Sequence, residues 1–307
     1  MGRRKRGRDI DGVVLLDKPV GCSSNAALQR VRRAYDARKA GHTGSLDPLA
    51  SGLLPVCLGE ATKVSSYLLS AAKRYRVTAL HGAQTATGDR EGEVVARSDV
   101  AMPDRQRLEA VIADFIGPQQ QIPPMYSALK KDGKRLYEHA RAGETVEREP
   151  RDIVVHELQL VDCDASTFTL DARVSSGTYI RTLVEDIART WGGVAHVGTL
   201  HRTGVGRLGR ELGMTPMAEI EAAAQSGGSL DQWLLPLSTV VEDWPRIALD
   251  AVGAADMNHG RAVDCNLPSP LPDTLLIEDD RGQLLGLGRI NDRGQLAPRR
   301  LFARPQR

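Results

Sequence analysis

Aromatic side chains are scarce: phenylalanine, tryptophan and tyrosine together make up 4% of the 307 residues, so a tyrosine in polar surroundings needs its own explanation. Cysteine is sparse too. Cys22, Cys57, Cys163 and Cys265 stand far apart and form no CxxC pair, which argues against a zinc ribbon or a redox dithiol and leaves free, mostly buried thiols. None of the seven histidines falls into HxxxH or HExxH, so no metal is expected. No P-loop lysine motif, glycine-rich phosphate loop or GxSxG elbow is identified, and no cofactor is expected. An uninterrupted apolar run of membrane-spanning length is missing, and the start MGRRKRGRD lacks the apolar core of a secretion signal. The expectation is a cytoplasmic chain with no membrane partner. No internal period suggests a repeat architecture.

Charge of one sign is not in excess either, since 41 basic against 39 acidic residues leave a net +2. Distribution matters more than the total. Arg3, Arg4, Lys5, Arg6 and Arg8 form a basic arm over residues 1–11, Arg30, Arg32 and Arg33 lie close together, and Lys130, Lys131, Lys134 and Arg135 make a third group. Such clusters can neutralise phosphates, although for any one of them a solvated surface is the simpler reading.

What is present in strength is the run Gly41–Gly59, GHTGSLDPLASGLLPVCLG, in which a turn-rich loop opens into an apolar strand with Asp47 at the junction. Gly41, Gly44 and Gly52 permit backbone angles that other residues resist, and Pro48 biases Asp47 towards an extended conformation. Two readings stand at this point: a turn-starting Asp-Pro, or a carboxylate mounted for chemistry on a loop at a strand end. The whole stretch resembles the motif GHTGxLDPxAxGxLPxxxG of the TruB family of tRNA pseudouridine synthases, and the resemblance extends from about Gly12 to the C-terminus. It implies that Asp47 is the essential catalytic residue.

The flanking segments carry further motifs of that family. Gly12 to Leu16 reads as a buried strand, Ser23 or Ser24 as a helix cap, and Ala27, Leu28, Val31, Ala34 and Tyr35 as one helical face. The DKPxGxxS that joins them resembles the family's first motif, with Lys18 placed behind the catalytic loop and a phosphate contact left open for it. A helix is expected from Ala61 to Leu69, then a strand from Lys73 to Ala79. There Tyr75, between Arg74 and Arg76, fits either interstrand packing or stacking on a base with its neighbours on phosphate. KRYRV resembles the second motif, whose tyrosine stacks on the target uracil. Family members often carry an aspartate where this chain has Ala86, while Asp89 and Gly92 match. Ile180, Leu183, Val184, Ile187 and Trp191 predict the buried face of a later helix, with Arg181 in its first turn, where the helix dipole disfavours a cation by about 0.3 to 1 kcal/mol. A solvent-exposed arginine is the alternative there. SSGTYIRT resembles the third motif, which implies that Arg181 pairs with Asp47, through a bidentate fork in our reading, and that Tyr179 lines the pocket. Ser176 stands where many relatives have lysine. His42, Leu200 and Arg202 are assigned by the same resemblance to substrate binding.

Gln119 to Pro150, with its Pro123-Pro124 break and modest apolar face, reads as a weakly anchored insertion; the resemblance makes it a thumb-like element that closes on RNA. Strands are expected at Val154 to Val161, Phe168 to Val174, Val197 to Arg202 and Thr203 to Leu208. From 245 onward, short apolar runs punctuated by turns at Leu267 to Pro272, Glu278 to Gly282 and Asn291 to Gly294 imply a small β-barrel. The expected fold class is therefore α+β: a large mixed, mainly antiparallel sheet with flanking helices over 12–244, the pseudouridine synthase fold, and a PUA-like RNA-binding domain over 245–307. The implied activity is isomerisation of the T-loop uridine, position 55, of tRNA after base flipping. The implied partner is tRNA, through its T-arm and the acceptor end, with no protein partner and a monomeric chain. An RNA-binding protein or tRNA-folding chaperone without essential catalysis is the rival, and a guide-dependent relative acting on ribosomal RNA is a second.

Overall fold

The computed structural model describes residues 7–265 and 274–306. Arg3 to Arg6 of the basic arm and the turn expected at Leu267 to Pro272 lie outside the described residues. The core of the molecule is a ten-stranded mixed sheet whose main path runs Thr215–Pro216, Gly12–Lys18, Ser51–Leu58, Ala195–Val205, Lys73–His81, Thr167–Val174, Arg151–Cys163, Gly117–Gln121. Pairing is antiparallel except where Gly12–Lys18 meets Thr215–Pro216 and where Ala195–Val205 meets Ser51–Leu58. The last junction is only two residue pairs long, His201 with Ser51 and Arg202 with Gly52. Asp47 lies just before Ser51, at the start of this junction.

Alternation along Lys73–His81 explains how the sheet divides its faces. Val77 and Ala79 join Leu108, Ile112, Leu183 and Ile187 in a core closed by the helices Arg105–Ala113 and Ile180–Arg189. Tyr75 packs on that same side. Arg74 and Arg76 point to the other face, so the expected pairing of Tyr75 with phosphate-binding neighbours is corrected. Arg76 makes a two-pronged contact with Asp171 at 2.8 and 2.6 Å, and Arg74 shares Glu157 with Arg173. Side chains of adjacent strand residues cannot meet one ligand on one face.

Helix boundaries follow local chemistry. Ser23 caps the helix Ser24–Ala34, its hydroxyl accepting from the Ala26 amide at 3.1 Å. The helix expected at Ala61 to Leu69 is split into a 3₁₀ turn, Gly59–Lys63, and a short α-helix, Ser65–Ser70, with Val64 at the break. The two strands expected between Val197 and Leu208 are one, Ala195–Val205, and the chain turns back on itself where Val205 pairs with Leu208. Gln119 to Gln121, read as the start of the insertion, belong instead to the edge strand Gly117–Gln121 that pairs with Arg151–Cys163. The insertion itself holds a two-residue-per-strand hairpin, Lys130–Lys131 with Lys134–Arg135, and the helix Leu136–Arg141.

A separate four-stranded sheet, Arg246–Ala248, Leu275–Glu278, Leu284–Ile290 and Leu296–Gln306, forms the C-terminal unit. It is fastened to the main body: Leu276, Leu287 and Phe302 share a core with Val13, Leu53 and Cys57, and Lys63 donates to the Leu301 carbonyl at 2.7 Å.

Close backbone contact where Gly52 pairs with Arg202 has a measurable consequence for stability. Gly52 has φ +98°, and a Cβ built there would lie 2.3 Å from the Arg202 carbonyl oxygen. Gly52→Ala is expected to cost about 2 to 4 kcal/mol from left-handed strain plus overpacking. Gly177→Ala, at φ +86° with open space around it, should cost about 1 kcal/mol. Urea denaturation of the two variants side by side measures the difference; equal midpoints would contradict the packing argument.

Candidate active site

The loop carrying Asp47 is fixed from below. Ser24, directly after the cap, receives a hydrogen bond from the Leu46 amide at 2.7 Å and donates to the Leu46 carbonyl at 3.0 Å. The Ala50 amide closes a turn on the Asp47 carbonyl at 3.0 Å, and the Gly21 amide donates to the Pro48 carbonyl at 2.8 Å. Leu46, Leu49 and Ala50 are buried in the main core. With both flanks anchored, the intervening carboxylate projects into a cleft of about 540 Å³ that is also lined by Tyr75, Tyr179, Arg181, Leu200 and Arg202.

Arg181 is 5% exposed in the first turn of its helix, which has no acidic residue there. Its cost is offset from outside the helix. One guanidinium nitrogen, Nη2, lies 3.0 Å from Asp47 Oδ2 and donates to the Tyr126 carbonyl at 2.8 Å; the other, Nη1, donates to the Thr87 carbonyl at 2.6 Å and lies 3.7 Å from Asp89 Oδ2. The bidentate fork expected on Asp47 is therefore corrected: the guanidinium is shared among two carbonyls and two carboxylates, with a single nitrogen on Asp47. Asp89 is itself buried, accepting from Thr87 Oγ1 at 2.7 Å and from the Glu91 amide at 3.1 Å.

Asp47 combines access with poor hydration. Its side chain is 44% exposed through the mouth of the cleft, yet protein surrounds it closely enough that burial raises its pKa above the ordinary carboxylate value. Asp89 adds to the rise; Arg181 and Lys18 oppose it without reversing it. Arg181 favours the ionised form, and the larger desolvation effect outweighs it.

Three other side chains expected in the site stand differently. Lys18 is wholly buried, and its ammonium donates to the Pro19 and Cys22 carbonyls at 2.9 and 2.8 Å. Its donors are spent on the turn after its own strand and the side chain is closed off from solvent, which corrects its assignment to substrate binding. Arg202 is 1% exposed; it lines the cleft floor, but its hydrogen bonds go to the Leu53 and Gly44 carbonyls at 2.7 and 3.0 Å. It is occupied in holding the loop. His42 lies outside the cleft lining, accepts from the Gly44 amide at 3.4 Å, and has its pKa lowered by burial and then by Arg202, so its ring is neutral at pH 7.

The structure adds residues that sequence reasoning passed over. Lys73 lines the cleft nearly buried, its ammonium bound to the Leu69 and Ala71 carbonyls, and burial followed by the Arg202 charge lowers its pKa to about 8. Gln121 grips the Tyr179 backbone on both sides, accepting from its amide at 2.8 Å and donating to its carbonyl at 3.1 Å. Ser127 places a buried hydroxyl in the cleft wall, beside the Tyr179 phenol. Asp89 had a sequence signal as part of a turn motif, and Lys73 opened the KRYRV run without a role of its own. The run Gly204 to Gly209 does carry the GxGxxG spacing missed in the sequence, but it spans a strand end and the turn after it and opens onto no α-helix, so it lacks the context of a dinucleotide site. Among the described residues no group of three or more His, Cys, Asp or Glu side chains could hold a metal, and no helix is long and apolar enough to cross a membrane.

Comparison with known proteins agrees along the chain. Residues 32–180 match the TruB family pseudouridylate synthase N-terminal domain, 181–242 the tRNA pseudouridylate synthase B C-terminal domain, and 245–302 the pseudouridine synthase II TruB C-terminal domain. A protein of Nitrosococcus oceani described as tRNA pseudouridine synthase B is 48% identical over 98% of this chain and 97% of its own length. One of Sodalis glossinidius with the same description is 47% identical over the whole of both chains. Among solved structures, a Cbf5-Nop10-Gar1 complex superposes with a TM-score of 0.72 at 23% identity, covering 95% of this chain and 84% of the other. A chain of an H/ACA RNP bound to a substrate RNA containing 2′-deoxyuridine gives 0.73 at 21% identity, covering 99% and 92%. At those identities the likeness is one of fold.

A carboxyl with a raised folded-state pKa binds its proton more tightly in the native than in the unfolded chain, so its contribution to stability falls as pH rises from the unfolded value through the folded one. Asp47→Asn, which mimics the protonated form, is expected to be more stable than the unmutated chain at pH 7, with the gap closing as pH drops through the carboxylate range. Thermal melts from pH 3.5 to 7.5 measure it. A variant less stable at pH 7 would show that Arg181 outweighs desolvation.

Proposed function

The chain belongs to the TruB family of pseudouridylate synthases, and on that premise we propose that it converts the T-loop uridine at position 55 of tRNA to pseudouridine, with Asp47 as the catalytic carboxylate. The observation that carries the proposal is the pairing of Asp47 with a buried guanidinium at 3.0 Å in a cleft that leaves the carboxylate accessible. The description of the Nitrosococcus and Sodalis relatives as tRNA pseudouridine synthase B supports tRNA as substrate.

The reaction replaces the N1–C1′ bond of uridine by a C5–C1′ bond and moves the C5 proton to solvent while N1 takes one up. Atoms and electrons balance without redox chemistry or a group donor. A carboxylate can begin it by attacking the base or ribose covalently, or by removing a ribose proton on a glycal route; both need the ionised form. Arg181 and Lys18 favour that form against the desolvation of the cleft. A uracil seated over Asp47 would exclude the water that now reaches it, strengthening the contact with Arg181 when charge develops.

Eversion of the uridine from a folded loop costs a few kcal/mol. Tyr75, on the cleft wall beside Leu200, is placed to stack on the base, which is worth about 1 to 3 kcal/mol. Tyr179 supplies a second aromatic wall, and burial raises the pKa of its phenol, keeping it protonated. The C-terminal unit, fastened through Lys63 and the shared core, is assigned to the acceptor end of the same tRNA.

Purified chain alone, given an unmodified T-arm hairpin, is expected to form pseudouridine at one position. Asp47→Asn should bind the hairpin and form none. Arg181→Lys, which keeps a charge but cannot reach four acceptors at once, should lose about 100-fold or more in turnover while its melting temperature falls far less than the rate implies. Normal turnover by Asp47→Asn would exclude this carboxylate. Binding without turnover by the unmutated chain would favour a chaperone or a guide-dependent system.

A further inference from the structure

The helix Ile180–Arg189 is poorly capped by its own sequence. Tyr179 occupies the N-cap position, where Ser, Thr, Asp or Asn is preferred, and its side chain makes no capping bond. Arg181 follows in the first turn, a cation at the end of the helix that repels one. What holds this turn comes from far upstream. Gln121, 4% exposed at the end of the edge strand Gly117–Gln121, accepts from the Tyr179 amide at 2.8 Å and donates to the Tyr179 carbonyl at 3.1 Å. In a capping box the third helical residue serves the N-cap amide; here a glutamine of a separate strand does so. The Tyr179 carbonyl also takes the first helical bond, from the Leu183 amide at 3.0 Å. The start of the helix is thus gripped on both sides of one residue.

The segment that begins at Gln121 reaches the guanidinium as well. Past Pro123-Pro124, whose rings stiffen the span, the Tyr126 carbonyl accepts from Arg181 Nη2, the nitrogen that also lies on Asp47. Arg148 Nη1, from the returning end of the insertion, donates to the Pro123 carbonyl at 3.0 Å and closes the segment into a bracket. Backbone and head of the Arg181 turn are therefore held by one short stretch of chain.

Resting on the reading of the cleft as the seat of the reaction, we propose that Gln121 is a positioning residue for catalysis: by gripping Tyr179 it sets where Arg181 presents its charge to Asp47. Gln121 lies outside the cleft lining, so its effect passes through the Tyr179 turn. The charged groups that bear on Asp47 are Arg181, Asp89 and Lys18, and of these Arg181 is the one carried on that turn. Glutamine suits the task because its planar head offers a donor and an acceptor together. The contact is also sensitive to small errors, since a displacement on the order of 1 Å at a catalytic group can cost about 100-fold in rate.

The test compares the full-length chain with Gln121→Met, Arg181→Lys and the double variant. Methionine has similar length but offers the Tyr179 backbone neither a strong donor nor a strong acceptor. In single-turnover assays on the T-arm hairpin, Gln121→Met is expected to lose about tenfold or more in rate while hairpin affinity changes by less than about twofold. The double variant should be no more than about threefold slower than Arg181→Lys alone, because both changes spoil one contact. A second readout needs no reaction. The titration midpoint of Asp47, followed by NMR of its carboxyl carbon and assigned with Asp47→Asn, should move to higher pH in Gln121→Met, since a slackened Arg181 favours the carboxylate less. A role confined to folding would lower the melting temperature and leave that midpoint in place. An unchanged rate, losses that multiply in the double variant, or an unmoved midpoint would overturn the proposal. Should Gln121→Met not fold, Gln121→Glu, which keeps the acceptor for the Tyr179 amide but loses the donor, takes its place in the rate measurements with the same outcomes. Absence of turnover in the unmutated chain counts against the proposed function, and the Asp47 midpoint then decides the role of Gln121 by itself.

Discussion

One guanidinium, held almost without solvent at the start of a helix, organises this molecule. Arg181 sits where the helix dipole opposes a cation, and it is kept there by four acceptors from three separate parts of the chain: Asp47, the turn carrying Thr87 and Asp89, and Tyr126. The three segments are distant in sequence, so the position of the charge depends on the tertiary structure. In return the loops are held in register with one another. The Asp47 loop, the Thr87 turn and the root of the insertion meet at this side chain, and a buried cation with its partners satisfied is costly to move.

The same arrangement reconciles two demands on Asp47. In the proposed reaction the carboxylate must be poorly hydrated, yet an everted base must reach it. The loop meets both by anchoring its flanks, Leu46 and Leu49 in the core and Ser24 on the Leu46 backbone, while the carboxylate itself faces the cleft. Desolvation then raises its pKa, and Arg181 with Lys18 opposes that rise. Lys18, Lys73 and Arg202 form a cationic underlayer whose donors are spent on backbone carbonyls. Arg202 holds the loop through the Gly44 carbonyl, Lys18 and Lys73 fix the segments beside it, and Lys18 also acts on Asp47 through its charge.

Attachment of the C-terminal sheet extends that rigidity. Its leucines and Phe302 complete a core begun by Val13 and Leu53, strands that flank the Asp47 loop, and Lys63 ties the Leu301 backbone to the turn after Ser51–Leu58. An RNA held by both parts would therefore meet surfaces in fixed relation.

The sequence by itself determined the elements with strong local chemistry: the Ser23 cap, the strand before the first motif, the apolar face of the Arg181 helix, and Asp47 at a stiff glycine- and proline-bounded turn. Those features depend on residues near one another in the chain, which propensity and periodicity report. Pairing of Asp47 with Arg181 was legible too, but only through motif resemblance, since the 133 intervening residues carry no local trace of it. Tertiary structure alone decided which acceptors share the guanidinium, which face of the sheet Arg74 and Arg76 occupy, and that Lys18 and Arg202 are buried braces. It also decided the sign of the Asp47 shift, and for the same reason: desolvation and sharing are set by how distant segments pack around a charge, and no residue's neighbours in sequence record that.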